Sequence, residues 1–235
     1  QNDELKHFTH SPAQMGTPSS DIVKAFAVDK KGQLWVGTYG GGLLLYNYTT
    51  ETFQAFRQID DNPYSLSDDM VQSLICDRTG ILWVGTYNGL NKFDPEKDIF
   101  VTYQSEISPL MELIRTEVWA IVEDEQQGLW IGTDKGLYHY HKESPLQKLR
   151  SLTHYQADLR DENALAENKI LALLKDSRNQ IWVGTEGGGL HLFDKERQIF
   201  KRFQAADEES LNQTSPQVCD NNIWALCEDR YGEIW

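Results

Sequence analysis

The sequence has few of the features that mark catalytic, metal-binding or membrane proteins. Its three cysteines show no CxxC spacing, so they indicate neither a zinc site nor a disulfide framework. No apolar run approaches the roughly 20 residues that span a bilayer. The G-x-S-x-G and H-E-x-x-H motifs are missing, and no pair of acids stands apart from a repeated pattern. We therefore expect no catalytic residue, no metal site and no cofactor in this region.

Basic residues are also scarce. The 235 residues include 22 Lys and Arg against 36 Asp and Glu, which gives a net charge of −14 at pH 7. A surface this acidic repels polyphosphate, so nucleic acid is not expected as a partner. The hydrophobic fraction of 40% is that of an ordinary globular protein. A chain of 235 residues is long enough for one large all-β domain or two small ones.

A tryptophan repeat runs through the chain. Most copies read LWVGT, LWIGT or IWVGT, and an aspartate stands six residues before every tryptophan. The repeat tryptophans are Trp35, Trp83, Trp130, Trp182 and Trp235, and their aspartates are Asp29, Asp77, Asp124, Asp176 and Asp229. The tryptophans are 48, 47, 52 and 53 residues apart, and a period near 50 is typical of propellers and other solenoid arrays.

Each repeat predicts four short strands. A V-x-x-[IL] strand leads into a D-x-x-G turn, and [LI]-W-[VI]-G-T, G-L-x-x-[YF] and usually F-x-x-[FY] strands follow. We interpret the aspartates as turn residues, and each Trp with the Gly two positions later as packing between neighbouring sheets. We predict an all-β chain of β-propeller blades, each with four antiparallel strands. The complete blades are expected at about 21–57, 69–104, 116–156 and 168–204.

Partial units flank these blades. Residues 5–9 fit the last strand of a preceding blade, since Phe8 stands 15 residues before Val23, as Phe56 does before Val71. Residues 221–235 fit the start of a fifth blade. We therefore predict a single propeller region over residues 1–235, with four complete blades and a partial blade at each end.

The glycine cluster in LWVGTYGGG raises the question of a phosphate-binding loop. Its counterparts are GTYNGL, GTDKGL and GTEGGGL, which share only a Gly and a following Leu. No helix and no Lys-Ser/Thr pair follow, so both the dipole and the cation of a phosphate loop are missing. We interpret Gly40 to Gly42 as a β-turn.

The repeat resembles the two-component regulator propeller family. V-x-x-[IL]-x-x-D-x-x-G-x-[LI]-W-[VI]-G-T-x-x-G-L, followed by an Asp/Asn-rich link such as DDNPYSLSDD, carries the resemblance from Leu5 to Trp235. Blade three departs from it, with Gln127 in place of Gly and His141 in place of Asn or Asp. The family usually has seven blades and forms the periplasmic sensor region of bacterial hybrid sensor kinases, many of which respond to oligosaccharides. The resemblance therefore implies a fragment of a seven-bladed propeller in the periplasmic, extracytoplasmic part of an inner-membrane protein.

Candidate ligand-binding residues follow each G-T pair, where the sequence varies. They are Tyr39, Tyr87, Asp134 and Glu186. Two aromatics and two carboxylates around one propeller mouth would suit a carbohydrate, although a solvated rim is the alternative. Trp119 and Trp224 each follow the residue that opens the first strand of a repeat. At this position a tryptophan could stack on a ligand or pack between two blades. His139 and His141 share a strand face, but no third metal ligand is evident.

Three functions are compatible with this pattern. The resemblance favours a non-catalytic sensing module that binds an oligosaccharide and signals through rearrangement of a homodimer. Its other expected partners are the remaining propeller blades and the downstream sensor domains of the same chain. A propeller scaffold for protein–protein interaction is the alternative, and a propeller lyase or hydrolase is less favoured because no catalytic motif is present.

Overall fold

Four antiparallel sheets make up the fold. The computed structural model describes residues 5–94, 99–102, 113, 115–141, 151–205 and 218–235. These residues form sixteen strands and no α-helix, and each sheet is a meander of four strands consecutive in the chain. The strands are β1 Val23–Val28, β2 Leu34–Thr38, β3 Gly42–Asn47, β4 Thr52–Phe56, β5 Val71–Cys76, β6 Leu82–Thr86, β7 Gly89–Asp94, β8 Ile99–Thr102, β9 Val118–Glu123, β10 Leu129–Thr133, β11 Gly136–His141, β12 Ser151–Tyr155, β13 Ile170–Lys175, β14 Ile181–Thr185, β15 Leu190–Asp194 and β16 Ile199–Phe203. The predicted all-β class and the four complete four-stranded blades are confirmed.

The chain divides into two compact units, residues 1–104 and 105–235. Each unit contains two sheets and a core to which both contribute. The first core contains Trp35, Leu43, Leu66, Val71, Leu82, Val84, Phe93 and Phe100. The second contains Trp130, Leu137, Leu165, Ile170, Ile181, Val183, Phe193 and Phe200. The described residues include no helix of the length and apolarity needed to cross a membrane.

In three repeats, a glycine in the second strand makes room for the residue that opens the next repeat. A Cβ added to Gly37 would lie 2.6 Å from a side-chain methyl of Val71 in β5. Gly132 meets Ile170 in the same way, and Gly184 meets Ile223. The β-branched residue that opens one repeat therefore packs against the glycine of the repeat before it, which confirms the predicted packing role of these glycines.

The repeat aspartates do more than form a turn. Asp29 Oδ1 accepts hydrogen bonds from the amides of Lys31 and Gln33, while Oδ2 accepts the indole N–H of Trp35 at 3.1 Å. The same Asp–Trp bond recurs at three further repeats, at 3.0, 2.9 and 3.3 Å, in the pairs Asp77–Trp83, Asp176–Trp182 and Asp229–Trp235. Asp124 is the exception, because its Oδ2 lies 2.7 Å from His139 Nε2.

The fourth residue of each of these turns adopts a left-handed backbone. The φ angles at Gly32, Gly80 and Gly232 are +77°, +91° and +80°. Asn179 takes the position in blade four at +61°, as Asn tolerates. In blade three the position belongs to Gln127, with a φ of +63°. The substitution of Gln for Gly therefore places a residue with a long side chain in the left-handed backbone conformation that glycine favours.

The two ends differ from the complete blades. Residues 5–9 pair with no other strand among the described residues, and the leading strand of a preceding blade stays a prediction. The Phe8 ring instead packs edge-on against Tyr46 and Phe53, and side-chain bonds such as Lys6 to Glu51 hold the segment. In the partial fifth repeat, Cys227 and Trp235 exchange two backbone hydrogen bonds, 2.9 and 2.8 Å long, around the Asp229 turn.

Candidate ligand-binding site

The threonine that ends each second strand is fully buried and anchors the turn that follows. Thr38 Oγ1 donates to the Gly42 carbonyl at 2.8 Å. Thr86, Thr133 and Thr185 make the equivalent bond to Gly89, Gly136 and Gly189, at 2.8 to 2.9 Å. A buried hydroxyl therefore holds the backbone on which the next, variable residue stands.

The variable residue after each threonine is held in the same way in all four blades. Its amide donates to the carbonyl of the residue just before the first strand of its own blade. The pairs are Tyr39 to Ile22, Tyr87 to Met70, Asp134 to Glu117 and Glu186 to Lys169, with distances of 2.9 to 3.2 Å. Tyr39, Tyr87, Asp134 and Glu186 are thus equivalent positions at the same end of their sheets.

The glycine turn after β2 uses most of its amides within the protein. The amides of Gly40 and Gly42 both donate to the Asp69 carbonyl, at 3.1 and 2.9 Å. Gly42 has a φ of +77°, and an added Cβ would collide with the carbonyl of Phe56. The predicted β-turn is confirmed, and two of its three glycine amides are already used within the protein, which argues against a phosphate-binding loop.

A β-bulge displaces one residue in the first strand of every sheet. Ladder pairing shifts across Val23/Ala25, Val71/Ser73, Val118/Ala120 and Ile170/Ala172. The bulged residues are Lys24, Gln72, Trp119 and Leu171. A bulge leaves one residue out of the ladder and re-aims its side chain, and bulges are enriched beside binding sites. Trp119 therefore occupies a bulge position whose residue type differs in every blade, while the ladder on either side of it stays the same.

In the first unit, the two predicted tyrosines are in contact. The rings of Tyr39 and Tyr87 meet edge to face, with centroids 5.9 Å apart and planes at 87°. Tyr39 is 38% exposed, and its hydroxyl has no hydrogen-bond partner among the described residues. The pair offers an aromatic surface with an uncommitted phenol, which can stack on an apolar ring face and hydrogen-bond to a hydroxyl.

In the second unit, Trp119 and Glu186 are linked through a lysine. Lys169 Nζ lies 5.0 Å from the centre of the Trp119 ring and 3.0 Å from Glu186 Oε2. A cation above an indole and beside a carboxylate is held by both, so the three side chains form one group. All three are partly exposed, and the group can present an indole face, an ammonium and a carboxylate to a polar ligand.

Trp119 also connects to Asp134. Its indole N–H donates to Glu117 Oε2 at 3.2 Å, and Asp134 Oδ1 accepts the Glu117 amide at 2.9 Å. Of the predicted residues in this unit, Trp119, Asp134 and Glu186 are therefore joined by direct contacts or through one intermediate residue. Trp224 is 64% exposed, and its side chain has no hydrogen bond or ring contact with any other described residue.

Lys169 and Glu117 were missed by sequence reasoning. Both stand thirteen residues before a repeat tryptophan, the position of Ile22 and Met70 in the other complete blades. The recurrence was available in the sequence, but four unlike residue types gave no sign that this position contacts the residue after G-T. Among the described residues, no three His, Cys, Asp or Glu side chains come together as a metal site.

The sequence profile of the two component regulator propeller family matches the chain at each repeat. The matched residues are 16–40, 65–88, 112–135, 164–187 and 217–235. The chain belongs to this family. Each match to a complete blade runs from the link through the first two strands and ends one residue after the variable residue, so the candidate site residues lie inside the family pattern. No curated protein sequence matches the chain significantly.

Solved structures of propellers resemble this two-component regulator propeller chain. The extracellular domain of the hybrid two-component system BT3049 from B. thetaiotaomicron is 25% identical, with a TM-score of 0.72 over 97% of this chain and 27% of that one. That of BT4673 from the same organism is 23% identical, with a TM-score of 0.68 over 91% and 26%. Virginiamycin B lyase from Staphylococcus aureus is 11% identical, with a TM-score of 0.60 over 91% and 62%, and shares the fold alone. The chain spans about a quarter of the two-component structures.

Proposed function

We propose that this chain is part of a non-catalytic, extracytoplasmic sensing module of a hybrid two-component sensor, and that it binds an oligosaccharide. The family match and the resemblance to extracellular domains of hybrid two-component systems support the sensor role. The observation that carries the ligand assignment is the composition of the two candidate groups, which are the Tyr39–Tyr87 pair and the Trp119–Lys169–Glu186 group. Both stand on hydrogen-bonded turns or on a β-bulge beside them.

The chemistry of both groups suits a sugar. A pyranose ring has an apolar face, formed by its axial C–H groups, that packs on an aromatic ring, and equatorial hydroxyls that hydrogen-bond around its edge. Tyr39 and Trp119 supply aromatic rings, while the Tyr39 hydroxyl, Lys169 and Glu186 supply donors and acceptors. Lys169 and Glu186 neutralise each other, so the group in the second unit favours a neutral sugar over a highly charged one.

Signalling requires the ligand to distinguish two states of the sensor. An oligosaccharide shifts an equilibrium between two homodimer arrangements only if it binds one more tightly than the other. In this proposal the remaining propeller blades and the downstream sensor domains of the same chain transmit that preference. The periplasm is the compartment in which such a module would meet an oligosaccharide.

Calorimetry with single-site variants tests the ligand assignment. The chain would be titrated with a neutral probe, xylohexaose, and with an acidic one, tetragalacturonate. We expect saturable heat for the neutral probe, and a weakening of about tenfold or more in Tyr39→Ala and in Trp119→Ala, since one stacked aromatic contributes about 0.5–1.5 kcal/mol beyond its buried area and the buried area is lost as well. Tyr64→Ala is the matched control, because Tyr64 is also an exposed tyrosine of the first unit but lies in a link.

The outcomes separate the possible functions. Binding that survives both aromatic substitutions would remove the candidate groups from the site. Release of shorter sugars, detected by chromatography of the titrated probe, would contradict the non-catalytic role. A panel of neutral and acidic sugars that gives no heat would overturn the oligosaccharide assignment and favour a scaffold for a protein partner.

A further inference from the structure

A cavity of about 210 Å³ lies between the first two sheets, at the end opposite the candidate ligand site. Residues that line it come from the Asp29 turn, from β2 to β4 and from the facing sheet. They are Asp29, Lys30, Lys31, Gln33, Trp35, Leu45, Gln54, Phe56, Gly80, Leu82 and Phe93. The Asp29 turn precedes β2 and Tyr39 follows it, so the length of a five-residue strand, about 15 Å, separates the cavity from Tyr39.

The floor of the cavity is apolar. In the first sheet, Trp35 pairs with Leu45 and Leu45 pairs with Gln54, so these three side chains stand in one row across the sheet. In the facing sheet, Leu82 pairs with Phe93. The rings of Trp35 and Phe93 are 5.1 Å apart, which closes the floor between the two rows.

The rim of the cavity carries polar groups, three of which are uncommitted. Lys30 Nζ donates to the Arg78 carbonyl at 2.6 Å and so ties the turn of the first sheet to the turn of the second. The side chains of Lys31, Gln33 and Gln54 have no hydrogen-bond or ionic partner among the described residues. Among the described residues that line the cavity, Asp29 is the only acid, and both its oxygens are occupied by turn amides and the Trp35 indole.

In blade three, an aromatic side chain occupies the position that is equivalent to Leu45 in the cavity floor. His139 pairs with Trp130 as Leu45 pairs with Trp35, and Thr153 takes the position of Gln54. The imidazole lies flat on the indole, with ring centroids 3.9 Å apart and 8° between the planes. A planar ring therefore fits against the repeat tryptophan at this position when the residue on the third strand supplies one.

We propose that the cavity of the first unit binds a small aromatic carboxylate, with its ring on the floor formed by Trp35, Leu45 and Phe93 and its carboxylate at Lys31. A cavity of about 150 Å³ accepts benzene, so about 210 Å³ accommodates one substituted ring. The two lysines give this rim a positive charge on a protein whose net charge is −14, so an anion is favoured here and not at the surface in general. This site does not depend on the proposed sensing of oligosaccharides.

Ligand-observed NMR on the whole chain tests the proposal with phenylacetate as the probe and 2-phenylethanol as its neutral counterpart. A ligand of this size binds at about the millimolar level. We expect phenylacetate to bind about threefold more tightly than 2-phenylethanol, and Lys31→Gln to abolish that difference, because an exposed ion pair contributes only modestly in water. Lys24→Gln, at the other end of β1, should leave it unchanged.

Two substitutions that fill the cavity test its location. Leu45→His copies blade three, and Gln54→Phe places a ring from an exposed position on β4. Each should weaken phenylacetate binding at least tenfold while the melting temperature and the Tyr39-dependent sugar binding remain. Absence of binding by the native chain at ten millimolar, or full binding by both filled variants, would overturn the site. Equal affinity for phenylacetate and 2-phenylethanol would overturn the carboxylate assignment.

Discussion

Trp130 and Asp124 keep the six-residue spacing of the repeat but not its hydrogen bond. Trp130 is buried, with only 1% of its surface exposed, and its indole N–H has no acceptor among the described residues. In the other repeats, Oδ2 of the equivalent aspartate accepts the indole N–H. Asp124 Oδ2 instead lies 2.7 Å from His139 Nε2. Burial raises the pKa of Asp124, but hydrogen bonds from His139 and from the Gly128 amide outweigh burial and lower it overall. His139 has therefore displaced Trp130 as the donor.

Replacing His139 with leucine should return the Trp130 indole to Asp124. Leu45 and Leu192 hold the equivalent position in blades one and four, where the Asp–Trp bond is present. We expect the indole N–H of Trp130 to become protected from hydrogen exchange in His139→Leu, with stability changed by about 1 kcal/mol or less because one donor replaces another. Leu192→His should expose the Trp182 indole N–H in the same experiment. An unprotected Trp130 N–H in His139→Leu would show that His139 does not compete for Asp124.

A glycine at position 127 should stabilise the chain. Gln127 has a φ of +63°, which costs a non-glycine residue about 1–2 kcal/mol, although glycine loses some of that gain through its freer unfolded state. We expect Gln127→Gly to raise the free energy of unfolding in urea by about 1 kcal/mol. Gly32→Gln is the matched reverse, since no atom lies within 4 Å of an added Cβ there and only backbone strain is introduced. A loss of stability in Gln127→Gly would contradict the strain argument.

The strands and turns could be predicted from the sequence because each repeat carries its own local signals. Asp and Gly at fixed offsets before Trp35 mark a turn, and short apolar runs on both sides mark strands, so no knowledge of distant contacts was needed. The Asp29–Trp35 hydrogen bond was not predicted, since an aspartate in that turn is already accounted for by backbone bonds. The packing of the Phe8 ring on Tyr46 and Phe53 was not predicted either, because ring packing and strand pairing leave the same aromatic pattern.

The candidate site was only partly predictable. Tyr39 and Tyr87 were identified because they vary within a constant frame, and the structure adds their contact. The role of Lys169 depends on a side chain that crosses from a link to the indole of Trp119 in another sheet, and spacing in one sequence does not reveal such a contact. The cavity below Leu45 likewise depends on what two facing rows of side chains leave unfilled.

The buried His191 should make stability pH-dependent. Its Nε2 accepts the Ala166 amide at 3.0 Å in a fully buried position, and burial, reinforced by Arg202, lowers its pKa to about 4 from 6.5. Between these values the unfolded chain binds a proton that the folded chain excludes, so stability is lost as the pH falls from about 6.5 towards 4. The full loss is on the order of 3 kcal/mol, with most of it complete by about pH 5.

An asparagine at this position separates the titration of His191 from its structural role. Asn91, the equivalent residue in blade two, accepts the Ser67 amide at 3.0 Å without a titratable ring. In urea unfolding at pH 7 and pH 5, His191→Asn should lose about 2 kcal/mol less stability on acidification than the native chain. Identical losses in both proteins would assign the acid sensitivity to groups other than His191.

The contact between Gly37 and Val71 should show strong energetic coupling. An added methyl at Gly37 would lie 2.6 Å from Val71 Cγ1, and Val71 is fully buried, so it has little room to move. We expect Gly37→Ala to cost about 1–3 kcal/mol through overpacking, and Val71→Ala to cost a similar amount through lost burial. In the double variant the new methyl takes the space of the removed one, so its loss of stability should fall short of the sum by at least about 1 kcal/mol. Gly37→Ala combined with Val183→Ala, in the core of the other unit, should be additive within about 0.5 kcal/mol. Additivity of the Gly37 and Val71 substitutions would mean that the second-strand glycine is needed for some reason other than the approach of the next sheet.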